Sequence, residues 1–214
     1  MRQRNVKNLD SIIADCAAWK VADPQSRKGH WRESFADVSQ PLKLELGSGK
    51  GRFIAEMAQA HPEINFIACE AQNNVGVRIL QKAKERELSN LLVICEHIEN
   101  ITDYFAPGEL SELYLNFCDP WPKACHEKRR LTFGKKLLMY REVLDDGSLI
   151  EFKTDNDALF EYSLTQFDEC GFEYEYTRDL YQSEFAEGNI PTEYEEKFAS
   201  AGKTINYARI CISK

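Results

Sequence analysis

One stretch narrows the possible folds more than any other. At 42–60 the chain reads LKLELGSGKGRFIAEMAQA. An apolar strand runs into glycines at every second position (47, 49 and 51) and then opens a helix, with Phe53, Ile54, Met57 and Ala58 at helical spacing. A strand feeding a glycine-rich turn and a helix is the first unit of a βαβ fold. The alternation then repeats. INFIACE (64–70), LLVIC (91–95), ELYLNF (112–117) and SLIEFKT (148–154) have strand character, while 74–88, 131–144 and 158–170 have helical spacing. Gly147, after Asp145 and Asp146, suits the left-handed cap of the 131–144 helix. FEYEYTRDL (172–180) and INYARICIS (205–213) finish the chain as an antiparallel edge pair. Strands separated by helices pair in parallel and are covered on both sides. The expectation is therefore an α/β chain with a Rossmann-like, mostly parallel seven-stranded sheet and helices on both faces.

A chain of 214 residues with 43% hydrophobic content supports one such domain, at 41–214. Residues 1–40 read as an N-terminal basic arm or extension with a short helix at 9–19. Residues 182–192 read as an irregular loop, after which Thr192 and Glu195 have the spacing of a capping box for a helix to about 201. No apolar run approaches membrane-spanning length, and MRQRNVKNLDSIIADC lacks the apolar stretch of a signal peptide. A cytoplasmic protein with no membrane partner is expected, as a monomer or a homodimer. The seven cysteines are odd in number, contain no CxxC pair and fall partly in apolar runs. They read as reduced core thiols, with no metal site.

The glycine spacing bears on the ligand. A dinucleotide fingerprint is GxGxxG, whereas Gly47, Gly49 and Gly51 give GxGxG. Glu45, on the strand itself, would repel a pyrophosphate but suits an amino group. Glu70 ends the next strand 21 residues after Gly49, where an acid accepts from ribose hydroxyls. A nucleoside with a cationic amino-acid tail meets both acids, and S-adenosylmethionine is such a ligand. Taken alone, the glycines are also compatible with a tight βα turn that binds nothing.

A second cluster follows the fourth strand, in LNFCDPWPKACHEKRRLTF. Each proline removes a donor and restricts its predecessor, so a rigid turn presents Asp119, Trp121 and Lys123. Between 123 and 136, Lys123, Lys128, Arg129, Arg130, Lys135 and Lys136 stand against Glu127 alone, in a chain of net charge −8. Such a local reversal of sign can receive a phosphate backbone. Arg2, Arg4 and Lys7 form a second basic group. A structural turn and a solvated helix start would account for the two features separately. Their adjacency beside the glycine-loop strand points to a nucleic-acid substrate. Trp121 either stacks on an extruded base or anchors the turn.

LNFCDPWPKACHEKRR, FKTDNDALFEYS and EGNIPTEYEEKF together resemble the bacterial tRNA (guanine-N7-)-methyltransferase family, and the similarity covers nearly the whole chain. The resemblance implies the S-adenosylmethionine-dependent methyltransferase fold, with S-adenosyl-L-methionine as cofactor and tRNA as partner. It also implies methylation of N7 of guanosine 46 in the variable loop. Position by position, it implies cofactor binding by Glu45, Gly47, Gly49, Glu70, His97 and Asp119, with Asp119 also the catalytic acid. Substrate binding falls to Lys123, Asp155, Thr192, Glu193, Tyr194 and Glu195. RNA contact falls to Cys125, His126, Glu127, Lys128, Arg129 and Arg130. The chain departs from the family pattern at His97, where an Asp is usual, and at Ala124 and Cys125, where two basic residues are usual.

Guanine N7 carries a lone pair and no proton, so the reaction requires alignment and no base. A carboxylate at Asp119 can accept from N1–H and the 2-amino group, a donor pair adenine lacks. Covalent cytosine-C5 methylation is opposed by the absence of any Pro-Cys dipeptide. Amino-group methylation through a DPPW-like turn, a non-catalytic RNA-binding module and an NAD-dependent dehydrogenase remain as alternatives. The two acids oppose the binding module, and the glycine spacing opposes the dehydrogenase.

Overall fold

In the computed structural model, which describes residues 6–214, the alternation forms one sheet. Its strands are Leu42–Leu46 (β1), Asn65–Cys69 (β2), Leu91–Ile94 (β3), Leu110–Asn116 (β4), Leu144–Thr154 (β5), Glu173–Thr177 (β6) and Asn206–Cys211 (β7). They lie in the order β3-β2-β1-β4-β5-β7-β6. β1 to β5 pair in parallel, and β7 runs antiparallel between β5 and β6. The helices are Leu9–Asp15 (α1), Arg52–Ala60 (α2), Asn73–Glu85 (α3), Gly134–Val143 (α4), Asp157–Glu169 (α5) and Glu193–Ala199 (α6).

The central parallel strands are largely buried because helices cover both of their faces. One apolar layer joins Phe53, Ile54 and Ala55 of α2 to Ile79 and Leu80 of α3. The other joins Ile101, Tyr104 and Phe105 to Leu137 and Tyr140 of α4 and to Phe160 and Phe167 of α5. The chain builds outward from β1 to β3, then returns to place β4 on the other side of β1. That reversal opens a crevice beyond the carboxyl ends of β1 and β4, where ligands bind in such sheets.

Two expectations need correction. Gly147 does not cap α4. It lies within β5, where Leu110 pairs with Leu144 but Glu112 pairs with Leu149, so it belongs to a bulge. Of the seven free cysteines, Cys125 and Cys211 are exposed and are not core thiols. The described part of the N-terminal extension is bound to the domain. Lys20 bridges in parallel to Val93, and the Trp19 indole donates to the Leu88 carbonyl at 2.8 Å. Trp31 is fully buried, stacks on Phe105 at 5.2 Å and donates to the Tyr104 carbonyl at 2.7 Å. Burial of Trp31 and Cys16 holds the extension to the domain. Arg2 and Arg4 lie outside the described residues. Among those residues, no helix is long and apolar enough to cross a membrane.

Candidate active site

The crevice beyond β1 and β4 holds a cavity of about 740 Å³, within the size range of small-molecule sites. Gly47, Gly49, Glu70, His97, Asp119, Trp121 and Arg129 all line it. Gly47 and Gly49 have φ of 79° and 56°, and a Cβ at either would meet no atom within 4 Å. The loop thus brings bare backbone to the cavity in a conformation other residues rarely adopt. Gly51 serves packing instead, since a Cβ there would lie 2.7 Å from Ile79 of α3.

Glu70 ties this loop to β2. Its carboxylate accepts from the Gly49 amide at 3.0 Å and the Gln72 amide at 2.9 Å, one on each oxygen. Burial pushes the carboxyl up, the two amides pull it down, and nearby Asp119 adds an upward push. Each oxygen retains a lone pair for a hydroxyl of a bound ligand. Glu45 lies behind the loop and is 2% exposed. One of its oxygens accepts from Asn116 at 2.8 Å, and the other is buried without any partner. Desolvation raises its pKa to about 7. An orphaned buried carboxylate oxygen, a ribose-type acid and an open glycine cradle fit a nucleoside carrying an ammonium group. His97 lies on the cavity wall but is largely exposed, facing Glu99 at 3.7 Å.

Asp119 is exposed at the start of the Pro-Trp-Pro turn. Phe117 and Trp121, on either side, have φ of 50° and 40°, a conformation that costs non-glycine residues about 1–3 kcal/mol and persists only where surroundings enforce it. Arg130 is one enforcer. Its guanidinium donates to the Pro120 carbonyl at 3.1 Å and to the Trp121 carbonyl at 3.1 and 3.3 Å, while packing 4.1 Å over the Tyr162 ring. It therefore turns inward, unlike the exposed Lys123, Lys128 and Arg129. Arg129 lies 4.8 Å over the Trp121 ring, and His126 meets that ring edge-on at 5.5 Å. Cys125 is exposed and Glu127 half-buried on the same 3-10 turn, Ala124–Arg129. Cys118 also lines the cavity, but burial pushes its thiol up to about 12. It stays protonated at neutral pH and makes a poor nucleophile.

The late run divides by task. Thr192 and Glu195 close the expected capping box of α6. Glu195 is fully buried, accepting from Tyr181 at 2.9 Å and Asn189 at 2.8 Å, with the Lys153 ammonium at 3.5 Å. With these partners it holds the loop and has no surface for a ligand. Glu193 pairs with Lys82 at 2.5 Å and accepts from the Arg52 amide at 3.3 Å, while Glu196 pairs with Arg52. Helix α6 is thereby fastened to the first turn of α2, directly after the glycine loop. Tyr194 is 46% exposed and its ring lies 5.2 Å from Phe117 at the cavity wall. Asp155 pairs with Lys203 at 2.9 Å. Two positions were not singled out in the sequence. Asn116 orients Glu45, and Lys153, 2% exposed, binds the late loop through Asn189 and the Ile190 carbonyl. A lysine inside the apolar run SLIEFKT was the available signal.

Residues 39–208 match the family model Methyltransf_4, described as "Putative methyltransferase". A tRNA (guanine-N(7)-)-methyltransferase of Lactiplantibacillus plantarum is 48% identical over 203 residues, covering 94% of each chain. Its namesake in Geobacillus sp. strain WCH70 is 46% identical over 206 residues, covering 96% of this chain and 93% of that one. That of Bacillus subtilis strain 168 is 44% identical over 211 residues, 98% of each. Among solved structures, the 16S rRNA methyltransferase KamB aligns with a TM-score of 0.58 at 15% identity, over 99% of this chain and 96% of that one. The antibiotic-resistance methyltransferase Kmr aligns with a TM-score of 0.55 at 16% identity, over 81% and 87%. These two share the fold.

Proposed function

The chain belongs to the tRNA (guanine-N(7)-)-methyltransferase family, and from this premise we propose that it methylates N7 of guanosine 46 in the variable loop of tRNA. When bound, S-adenosylmethionine supplies the methyl group, activated on a sulfonium. Glu70 accepts its ribose hydroxyls, Glu45 and its orphaned oxygen take the amino group, and the Gly47–Gly49 backbone leaves room for the tail. The observation that carries the reading is the meeting of Asp119 with Glu70 and the glycine loop on one cavity wall.

The chain's part in the reaction is positional. Asp119 accepts from N1–H and the 2-amino group of guanine, fixes N7 and offsets positive charge arriving on the ring. Arg130 holds the turn that carries Asp119. Trp121, braced by Arg129 and His126, offers a stacking face at the rim for an extruded base. Tyr194 and Asp155 bound the opposite side. The exposed cations Lys123, Lys128 and Arg129 receive phosphates and supply most of the tRNA affinity without reading sequence. Glu193 and Glu195 act indirectly, by fastening that side to the glycine-loop helix and to Lys153.

The test is incubation with labelled S-adenosylmethionine and unmodified tRNA, followed by nucleoside analysis. The expected product is 7-methylguanosine, lost when guanosine 46 is replaced. Label on cytosine or on an exocyclic amino group would overturn the reading.

A further inference from the structure

Lys136 is a titratable group of the cavity wall to which methyl transfer gives no task. It stands in the first turn of α4, lines the cavity with Met139 and Tyr140, and is 7% exposed. Among the described residues its ammonium makes no hydrogen bond and no ion pair. Two unfavourable effects meet there. Burial desolvates the charge and pulls its pKa down. A cation in the first turn opposes the positive end of the helix dipole. Its stem is buried and its ammonium opens into the cavity. Breaches of several local rules at one residue are expected where a function holds them in place.

The neighbours of Lys136 say which end of the cavity it serves. The titratable groups that act on it are Glu99 and the neutral Cys118 thiol. Helix α4 packs against the 3-10 turn Ile101–Asp103 that follows β3. The end that Lys136 serves is the one walled by Ile98, Glu99 and Ile101, beyond β3. For an adenosine ligand that end takes the base, whose ring nitrogens are acceptors. We propose that Lys136 donates a hydrogen bond to a ring nitrogen of the cofactor's adenine and so selects and positions the adenosyl half. The proposal rests on the reading of the cavity as an S-adenosylmethionine site.

The experiment is calorimetry of S-adenosylhomocysteine and its 1-deaza, 3-deaza and 7-deaza analogues against the wild-type protein, Lys136→Met and Lys136→Gln. Met keeps the length and the buried stem, and removal of a buried charge should raise the Tm of the ligand-free protein. Lys136→Met should weaken S-adenosylhomocysteine by about 10- to 100-fold, the range for a hydrogen bond to a charged group. Gln, which keeps a donor, should recover part of that loss. One deaza analogue should lose a similar factor against the wild type, yet bind Lys136→Met as well as the parent compound does. Equal affinity of wild type and Lys136→Met would overturn the proposal and leave the cofactor reading standing. So would deaza losses that are the same in both proteins. Failure of the wild type to bind S-adenosylhomocysteine at all would overturn both.

Discussion

Replacing Glu45 with Gln should stabilise the ligand-free protein at pH 8 and remove a pH dependence that the wild type carries. The carboxyl is 2% exposed, one oxygen accepts from Asn116 at 2.8 Å, and the second is buried without a hydrogen-bond partner. Desolvation moves its pKa from 4.5 to about 7. Below 4.5 the group is protonated in folded and unfolded chains alike and has no differential effect. Between 4.5 and about 7 the folded chain keeps a proton that the unfolded chain releases, so stability falls as pH rises. Above about 7 the loss is complete. At about 1.4 kcal/mol per pH unit, this interval corresponds to about 3 kcal/mol. The Gln variant keeps the acceptor for Asn116, so the two proteins should be nearly equal at pH 4.5 and diverge by up to about 3 kcal/mol at pH 8. Urea denaturation across that range measures the difference directly. The same variant should bind S-adenosylmethionine more weakly, and only the wild type should gain affinity as pH rises through 7. Parallel stability profiles for the two proteins would refute the argument, because a carboxyl with an ordinary pKa produces no such divergence.

Asp119→Ala and Asp119→Asn should each lower kcat/KM for tRNA by at least about 100-fold, equivalent to roughly 3 kcal/mol of positioning and charge stabilisation. Near wild-type turnover would remove Asp119 from the mechanism. Lys123→Ala combined with Lys128→Ala should weaken tRNA binding and flatten its salt dependence while leaving cofactor affinity alone; an unchanged slope would make the segment a solvated face. Lys153→Met leaves the buried Glu195 carboxyl without its cation, and should cost about 3–5 kcal/mol in a denaturation experiment. Gly51→Ala combines positive φ with a clash at Ile79, and should cost about 2–4 kcal/mol by the same measure.

Much of the site was legible in the sequence for a local reason. Glu45, Gly47 and Gly49 fall within one strand-turn element, and Glu70 ends the neighbouring strand at the ribose spacing. Any βαβ unit brings those positions to one sheet edge. Asp119 was legible because prolines fix a turn wherever they occur. The late residues show the opposite case. Glu193 and Glu195 looked like ligands for a substrate, but side chains 111 and 42 positions away in sequence, Lys82 and Lys153, claim them. Likewise Arg130 reads as one more cation in a basic run until the turn carbonyls appear within its reach.

The sequence by itself determined the order of strands and helices, because hydrophobic period and turn chemistry are properties of neighbouring residues. It also determined the glycine cradle and the acids at the strand ends. The tertiary structure alone decided which charges meet water and which meet each other. Burial sets the energy of an ionised group, and burial depends on every element packed around it. That is why Glu45 emerged as a carboxyl titrating near 7, Lys153 and Glu195 as a buried pair, and Lys136 as a buried cation facing a cavity. No window of neighbouring residues contains that information.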